Sequence, residues 1–219
     1  MNTISETIDD TIVKTTKSGY VHKPVYEFVK RIMDICCSSA ALVFLSPILL
    51  ITMIAIYIDD PGPVLFKQVR IGRNGREFKI LKFRSMKTNA EELKVQLMSQ
   101  NQDHGANFKI ENDPRITRVG RFIRRTSIDE LPQLVNILKG DMAVIGPRPF
   151  IESEQKCLPN DRLSVKPGLS CYWQIGGKNE LSMREQIELD RKYVEERSVI
   201  VDVKIIMLTL MMVVRNKNE

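Results

Sequence analysis

The chain of 219 residues is poor in the side chains from which metal centres and covalent frameworks are usually built. Its four cysteines, Cys36, Cys37, Cys157 and Cys171, contain no C-x-x-C pair. Two of them fall in an apolar stretch, where a thiol behaves as a small hydrophobe, so neither a zinc site nor a disulfide framework is implied. His22 and His104 stand far apart and cannot form a histidine cluster, so a metal here needs oxygen ligands. Aromatic residues make up only 6% of the chain, and no helix-turn-helix or finger spacing accompanies the net charge of +6, which sets nucleic acid aside as a partner. Residues 1–20, polar and rich in Thr, Ser and Asp without helical periodicity, read as a flexible tail, and they do not read as a signal peptide, since no basic start leads into an apolar core.

What is abundant is unevenly placed. From Ile35 to Ile58, 19 of 24 residues are hydrophobic and none is charged. At about 1.5 Å per residue a helix of that length reaches about 36 Å, enough to cross a hydrocarbon layer of about 30 Å. Two features favour a different path. Pro47, at the midpoint, removes a backbone donor and crowds the preceding turn, and Ser46 beside it can satisfy the carbonyl that proline frees. The flanking charge is also heavier after the stretch than before it: seven basic residues from Lys67 to Arg84 face Glu77 alone, whereas Lys23, Lys30 and Arg31 precede it. A single crossing would put the stronger basic flank outside, against the usual asymmetry. The expectation over 21–60 is therefore a re-entrant helix, broken at Ser46-Pro47, with a proline-kinked single span as the alternative.

Beyond Pro61, alternating runs at Val64–Phe66 and Phe78–Arg84, separated by Gly72 and Gly75, predict a small β-hairpin. Polar or apolar periodicity predicts helices over Thr88–Gln100, Ile128–Leu138 and Leu181–Glu196, with a short basic element at Gly120–Arg125. Val199–Val214 carries ten uncharged residues in a row from Ile205, too few to span, and suits either an interfacial helix or a core helix.

Asp129-Glu130 follows a run of basic residues and opens a predicted helix. Ser127-x-x-Glu130 fits a capping box, and Asp129 is the alternative N-cap. The same placement, beside Arg124 and Arg125, keeps a carboxylate ionised and suits a nucleophile or metal ligand acting on phosphate. Lys82 and Arg84 share one face of an extended strand and could clamp neighbouring phosphate oxygens, and Arg148 is held between Pro147 and Pro149.

These segments together resemble the bacterial sugar transferases, specifically the small monotopic phosphoglycosyl transferases. The similarity runs from about Tyr26 to Val214 and is carried by Lys30-Arg31 with Asp34, Ser46-Pro47, "LKFRSM" from Leu81, the long string from Asn112 to Pro149, "KPGLSCYWQIGGKN" from Lys166 and "LDRKYVEERSVIVDVKII" from Leu189. The resemblance implies transfer of a sugar 1-phosphate from a UDP-sugar to polyprenol phosphate at the cytoplasmic face of the bacterial inner membrane, with release of UMP. It assigns Asp129 as nucleophile, Glu130 with Asp129 to Mg²⁺, and Lys82, Arg84, Arg124 and Arg148 to the diphosphate. Asp141 and Asp190 are further acidic candidates, and Trp173 with Gln174 could meet nucleotide or acceptor or, for the tryptophan, anchor at the bilayer. Cys171 stands where relatives often carry glycine. The expected fold is α+β and mostly helical, with residues 61–219 as the catalytic domain ending in an interfacial helix. A silent membrane scaffold for glycan assembly is the rival reading, and homo-oligomerisation stays open.

Overall fold

The computed structural model describes residues 21–97, 113–175 and 181–214. The expected tail, His104, Lys109 and the end of the loop that begins at Lys166 lie outside them.

The apolar stretch forms the middle of one helix, α1, Pro24–Asp59, of 36 residues, long and apolar enough to cross a membrane and mostly exposed. It is assigned as one helix where the sequence leads one to expect two with a break. The helix continues through Pro47, which has no N–H for the Val43 carbonyl, and the Ser46 hydroxyl donates to that oxygen at 2.8 Å. Ser46 thus has the role its position next to proline predicts.

Both ends of α1 are fixed to the rest of the molecule. Near its start, Arg31 donates to the carbonyls of Ile137 and Leu138 at 2.6 and 2.7 Å, capping the helix that carries them, and Asp34 accepts the Val144 amide at 2.9 Å. Lys30 pairs with the fully buried Asp202 at 2.8 Å, a contact whose disruption costs about 3–5 kcal/mol because it strands a buried charge. Ala41 and Leu42 then pack on the cluster of Ile80, Leu134, Ile137 and Met142. Further along, Leu49 and Ile56 join Phe83 and Ile123, and Asp59 accepts the Val119 amide at 2.9 Å.

The predicted hairpin is β1, Leu65–Ile71, paired antiparallel with β2, Glu77–Phe83. Asn74 and Gly75 take positive φ in the connection, as a tight turn between right-twisted strands requires. After β2 the chain meets Ile116 through a bridge at Met86. Helix α2, Ala90–Leu97, follows, and α3, Arg118–Arg125, begins with Thr117 accepting the Gly120 amide. Gly120 is required there, since a Cβ would sit 2.0 Å from the Ser85 carbonyl oxygen. Then come α4, Gln133–Lys139; β3, Ala143–Ile145; α5, Glu152–Gln155; β4, Gly168–Ser170; and α6, Tyr172–Ile175. The last two helices are α7, Met183–Glu196, and α8, Val199–Val214.

Strands β3 and β4 pair in parallel, an arrangement the sequence reading does not include. Helix α7 opens on a capping box of Ser182 and Glu185. Helix α8 resolves the two readings of its sequence by having both faces: Ile205 and Asp202 are fully buried, whereas Ile200 is 80% exposed and Leu210 and Met211 are also exposed. Among the described residues the architecture is mostly helical, with two small sheets and one long apolar helix.

Candidate active site

The turn that bears the acidic pair is built by a strained residue. Ser127 adopts φ 57°, ψ 16°, left-handed backbone that costs a serine free energy, and makes no capping bond with its side chain. The expected capping box is therefore absent. Ile128–Glu130 form a 3-10 turn, Pro132 is the N-cap of α4, and the helix proper begins at Gln133. The predicted helix from Ile128 thus starts later, with the acidic pair on the tight turn in front of it. Reversing the chain at Ser127 folds the 3-10 turn back on α3, so that Asp129 stays in electrostatic reach of Arg124.

Asn136 sets the distance between this turn and β2. It is almost fully buried, its amide donates to the Lys79 carbonyl at 2.8 Å, and its side-chain oxygen accepts the Leu81 amide at 2.9 Å. The side chain thereby acts as one rung of a sheet ladder and fixes α4 against β2. Lys82, the next residue along the strand, meets Glu130 at 2.7 Å.

Lys82 and Glu130 line a cleft with Ile80, Arg70, Gln133, Arg148 and Gln174. Cross-strand pairing explains the strand residues: Phe66 opposes Lys82 and Gln68 opposes Ile80, so Arg70, two residues beyond Gln68, reaches the same face. Arg70 is steadied by the side chain of Gln68 at 2.7 Å and by Glu154 at 3.5 Å. Arg148 extends over the ring of Trp173, 5.5 Å from its centroid, and its carbonyl accepts from the buried Arg162 at 2.5 Å. Arg162 is held in turn by Asp190 at 2.6 Å. Burial pushes the Asp190 carboxyl up to about 6 against the opposing pull of Arg162.

The structure brings together Lys82, Glu130 and Arg148 at this cleft, with Asp129 on the same turn and Arg124 beside it. It does not bring Arg84. The alternation of β2 ends at Phe83, and Arg84 turns away to pair with Asp60 at 2.9 Å and to donate to that residue's carbonyl. Asp190 is engaged with Arg162, and Asp141 lies near Asn136 and Lys166. Trp173 is only 4% exposed, which removes the bilayer-anchor reading and makes it the support for Arg148. Cys171 is buried. Gln174, named from the sequence with Trp173 as a candidate nucleotide or acceptor contact, does line the cleft. Arg70 and Gln133 were not singled out from the sequence; the β1 alternation alone carried a signal for Arg70, and Gln133 depends on how distant segments meet.

Among the described residues no group of three or more histidine, cysteine, aspartate and glutamate side chains could hold a metal by itself. The adjacent carboxylates Asp129 and Glu130, with Lys82 and Arg124 close by, nevertheless match the way Mg²⁺ is usually held, by one or two carboxylates completed by substrate phosphate and water.

Residues 25–216 match the family model for bacterial sugar transferases, and the chain belongs to that family. It is 44% identical over 202 residues to the galactosyl transferase CpsE of Streptococcus agalactiae, covering 90% of this chain and 45% of that protein. With the undecaprenyl-phosphate galactose phosphotransferase of Salmonella typhimurium it shares 40% identity over 195 residues, 86% of this chain and 41% of the relative. The exopolysaccharide production protein ExoY of Rhizobium meliloti is 38% identical over 195 residues, 86% of either chain. The chain thus spans less than half the length of the first two relatives and most of the third.

Proposed function

We propose that the chain moves a sugar 1-phosphate from a UDP-sugar to a polyprenol phosphate such as undecaprenyl phosphate, the first step of a lipid-linked polysaccharide. The observation that carries the reading is the convergence of Glu130, Lys82 and Arg148 from three separate segments on one cleft, with Asp129 next to Glu130 on the same turn. A carboxylate oxygen of Asp129 attacks the β-phosphorus of the donor. A new P–O bond forms as the bond to the bridging oxygen breaks, and UMP departs with the electron pair. A phosphate oxygen of the polyprenol phosphate then attacks the same phosphorus and releases the Asp129 carboxylate unchanged.

Two anions meet in each step, and the cations lower that barrier. Lys82 and Arg148 can bond non-bridging oxygens where charge accumulates, and Arg124 favours the ionised form of Asp129. Glu130, with Asp129, would hold Mg²⁺, which when bound supplies further neutralisation of the diphosphate. The Lys82–Glu130 ion pair must loosen for this, which frees the ammonium for substrate.

The membrane part of the proposal is a monotopic arrangement with α1 re-entrant from the cytoplasmic face of the inner membrane. It is supported by the docking of α1 near both its ends on one body, while Phe44 and Ile58 are 80% and 75% exposed. The exposed apolar face of α8 fits an interfacial helix.

The decisive experiment incubates the protein with polyprenol phosphate and UDP-galactose, UDP-glucose or UDP-N-acetylgalactosamine and follows UMP. We expect release with one of these donors, a labelled sugar-phosphate adduct on Asp129, and loss of both in Asp129→Asn. Normal turnover by that variant would refute the nucleophile. Topology is tested by introducing cysteines before Lys30 and after Asp60: reagent should reach both from one face, and access from opposite faces would mean a span.

A further inference from the structure

A second cavity, of about 140 Å³, lies between the start of α1, the turn at Arg73, the loop at Lys166 and the end of α7, and shares no lining residue with the Asp129 cleft. Lys30, Arg31, Arg73, Lys166 and Arg197 contribute positive charge to its wall, and Glu27 and Asp34 negative charge. Several of these charges are already matched. Lys30 pairs with Asp202, Arg73 bonds Glu27 at 3.3 Å, and one Asp34 oxygen accepts the Val144 amide.

Arg197 is turned to the Val194 and Val21 carbonyls. Arg31 and Lys166 are bonded to no carboxylate among the described residues. Arg31 donates to the neutral carbonyls of Ile137 and Leu138, and Lys166 makes no hydrogen bond or ion pair among the described residues. Their nitrogens converge: Arg31 Nη2 and Lys166 Nζ each lie 3.5 Å from the point a Cβ would occupy on Gly140, whose φ is +93°. Burial, followed by the neighbouring Arg31, pushes the Lys166 ammonium below its ordinary pKa, and Asp34 offsets this only in part. With its fork engaged by the two carbonyls, Arg31 presents the edge of its guanidinium at Nη2 beside the Lys166 ammonium, and two cationic nitrogens near one point are matched by an anion with several acceptor oxygens.

We propose that this cavity is a binding site for a phosphate group, held by Arg31 and Lys166 with Arg73 at the rim. It lies where α1 is about to become uncharged and already exposes Phe28 and Ile32, so the group can come from a lipid headgroup or from a soluble phosphate. The site stands whatever reaction Asp129 carries out.

The test uses the full chain in detergent and reads acetylation of Lys166 by mass spectrometry, with the exposed Lys156 as internal reference. Inorganic phosphate, compared with chloride at equal ionic strength, should slow labelling of Lys166 about tenfold relative to Lys156, the gain expected of a charge-assisted contact. In a second arm the micelles carry phosphatidic acid or, as the phosphate-free match, diacylglycerol. Protection by inorganic phosphate identifies a soluble group, and protection by phosphatidic acid alone identifies a headgroup. Absence of protection in both arms, or equal protection by diacylglycerol, overturns the site. Protection should weaken in Arg73→Gln and persist in Lys82→Met. Its loss in Lys82→Met would place the phosphate in the Asp129 cleft and overturn the assignment.

Discussion

Lys82 and Arg84 stand two residues apart and are engaged on different sides of the molecule, so their substitutions should separate. Lys82→Met removes a cation from the cleft and is expected to lower kcat about 100-fold, the scale of one lost transition-state donor, with little change in Tm. Arg84→Met leaves Asp60 without its partner at a mostly buried contact and should cost about 3 kcal/mol in chemical denaturation, with kcat of the folded protein near wild type. A larger loss of rate than of stability in Arg84→Met would return that residue to the diphosphate. Asp113 gives the acid response. Arg115 bonds its carboxylate through two nitrogens and holds the Asp113 pKa below the usual carboxylate value. A depressed native pKa stabilises above the unfolded value near 3.8 and is lost as pH falls below it. The Tm difference between wild type and Asp113→Asn should therefore be largest near neutrality and close on acidification. If it widens instead, the pair does not stabilise the fold. At this scale the sequence reveals which residue types are present more readily than where their side chains turn. The alternation that aligned Lys82 with Arg84 was sound for as long as the strand lasted, and nothing local announces that it stops at Phe83.

Among the elements, the contact between α4 and β2 is the one on which the cleft depends. Replacing Asn136 by Leu leaves the Leu81 amide and Lys79 carbonyl unmatched in a buried place and is expected to cost about 2–4 kcal/mol, at roughly 1–3 kcal/mol per stranded group. Such a variant should also lose activity under conditions where it remains folded, because the spacing between Lys82 and Glu130 is no longer held. Unchanged kcat in the folded variant would show that the spacing is set elsewhere. Gly168→Ala should be more damaging than an ordinary glycine replacement, since its Cβ would lie 2.0 Å from the Gly146 nitrogen, and is checked by Tm. The hairpin and the longer helices were legible because each repeats its period several times. Strands β3 and β4 have three residues apiece, too few to display a period, and they pair across a long interval of sequence. The Ser127-x-x-Glu130 spacing misled for a related reason: a capping box presumes that its first residue is extended, whereas Ser127 is left-handed.

For the whole molecule, composition already indicated one long apolar segment followed by a basic body, and the structure makes of that segment one continuous helix where a break was expected. What composition could not indicate was that Lys30, Arg31 and Asp34, which look like the polar flank of a membrane segment, are largely occupied with Asp202, α4 and β3. That engagement reaches along α1 to Asp60. A protein fastened to its membrane segment by one linker can tilt and swing above the lipid; this one is bolted at two places and has lost that swivel. In the proposed arrangement, with α1 in one leaflet, the elevation of the cleft over the hydrocarbon would be a property of the polypeptide. Turnover should then respond to how tightly the headgroups crowd and stay indifferent to acyl-chain length in the opposite leaflet.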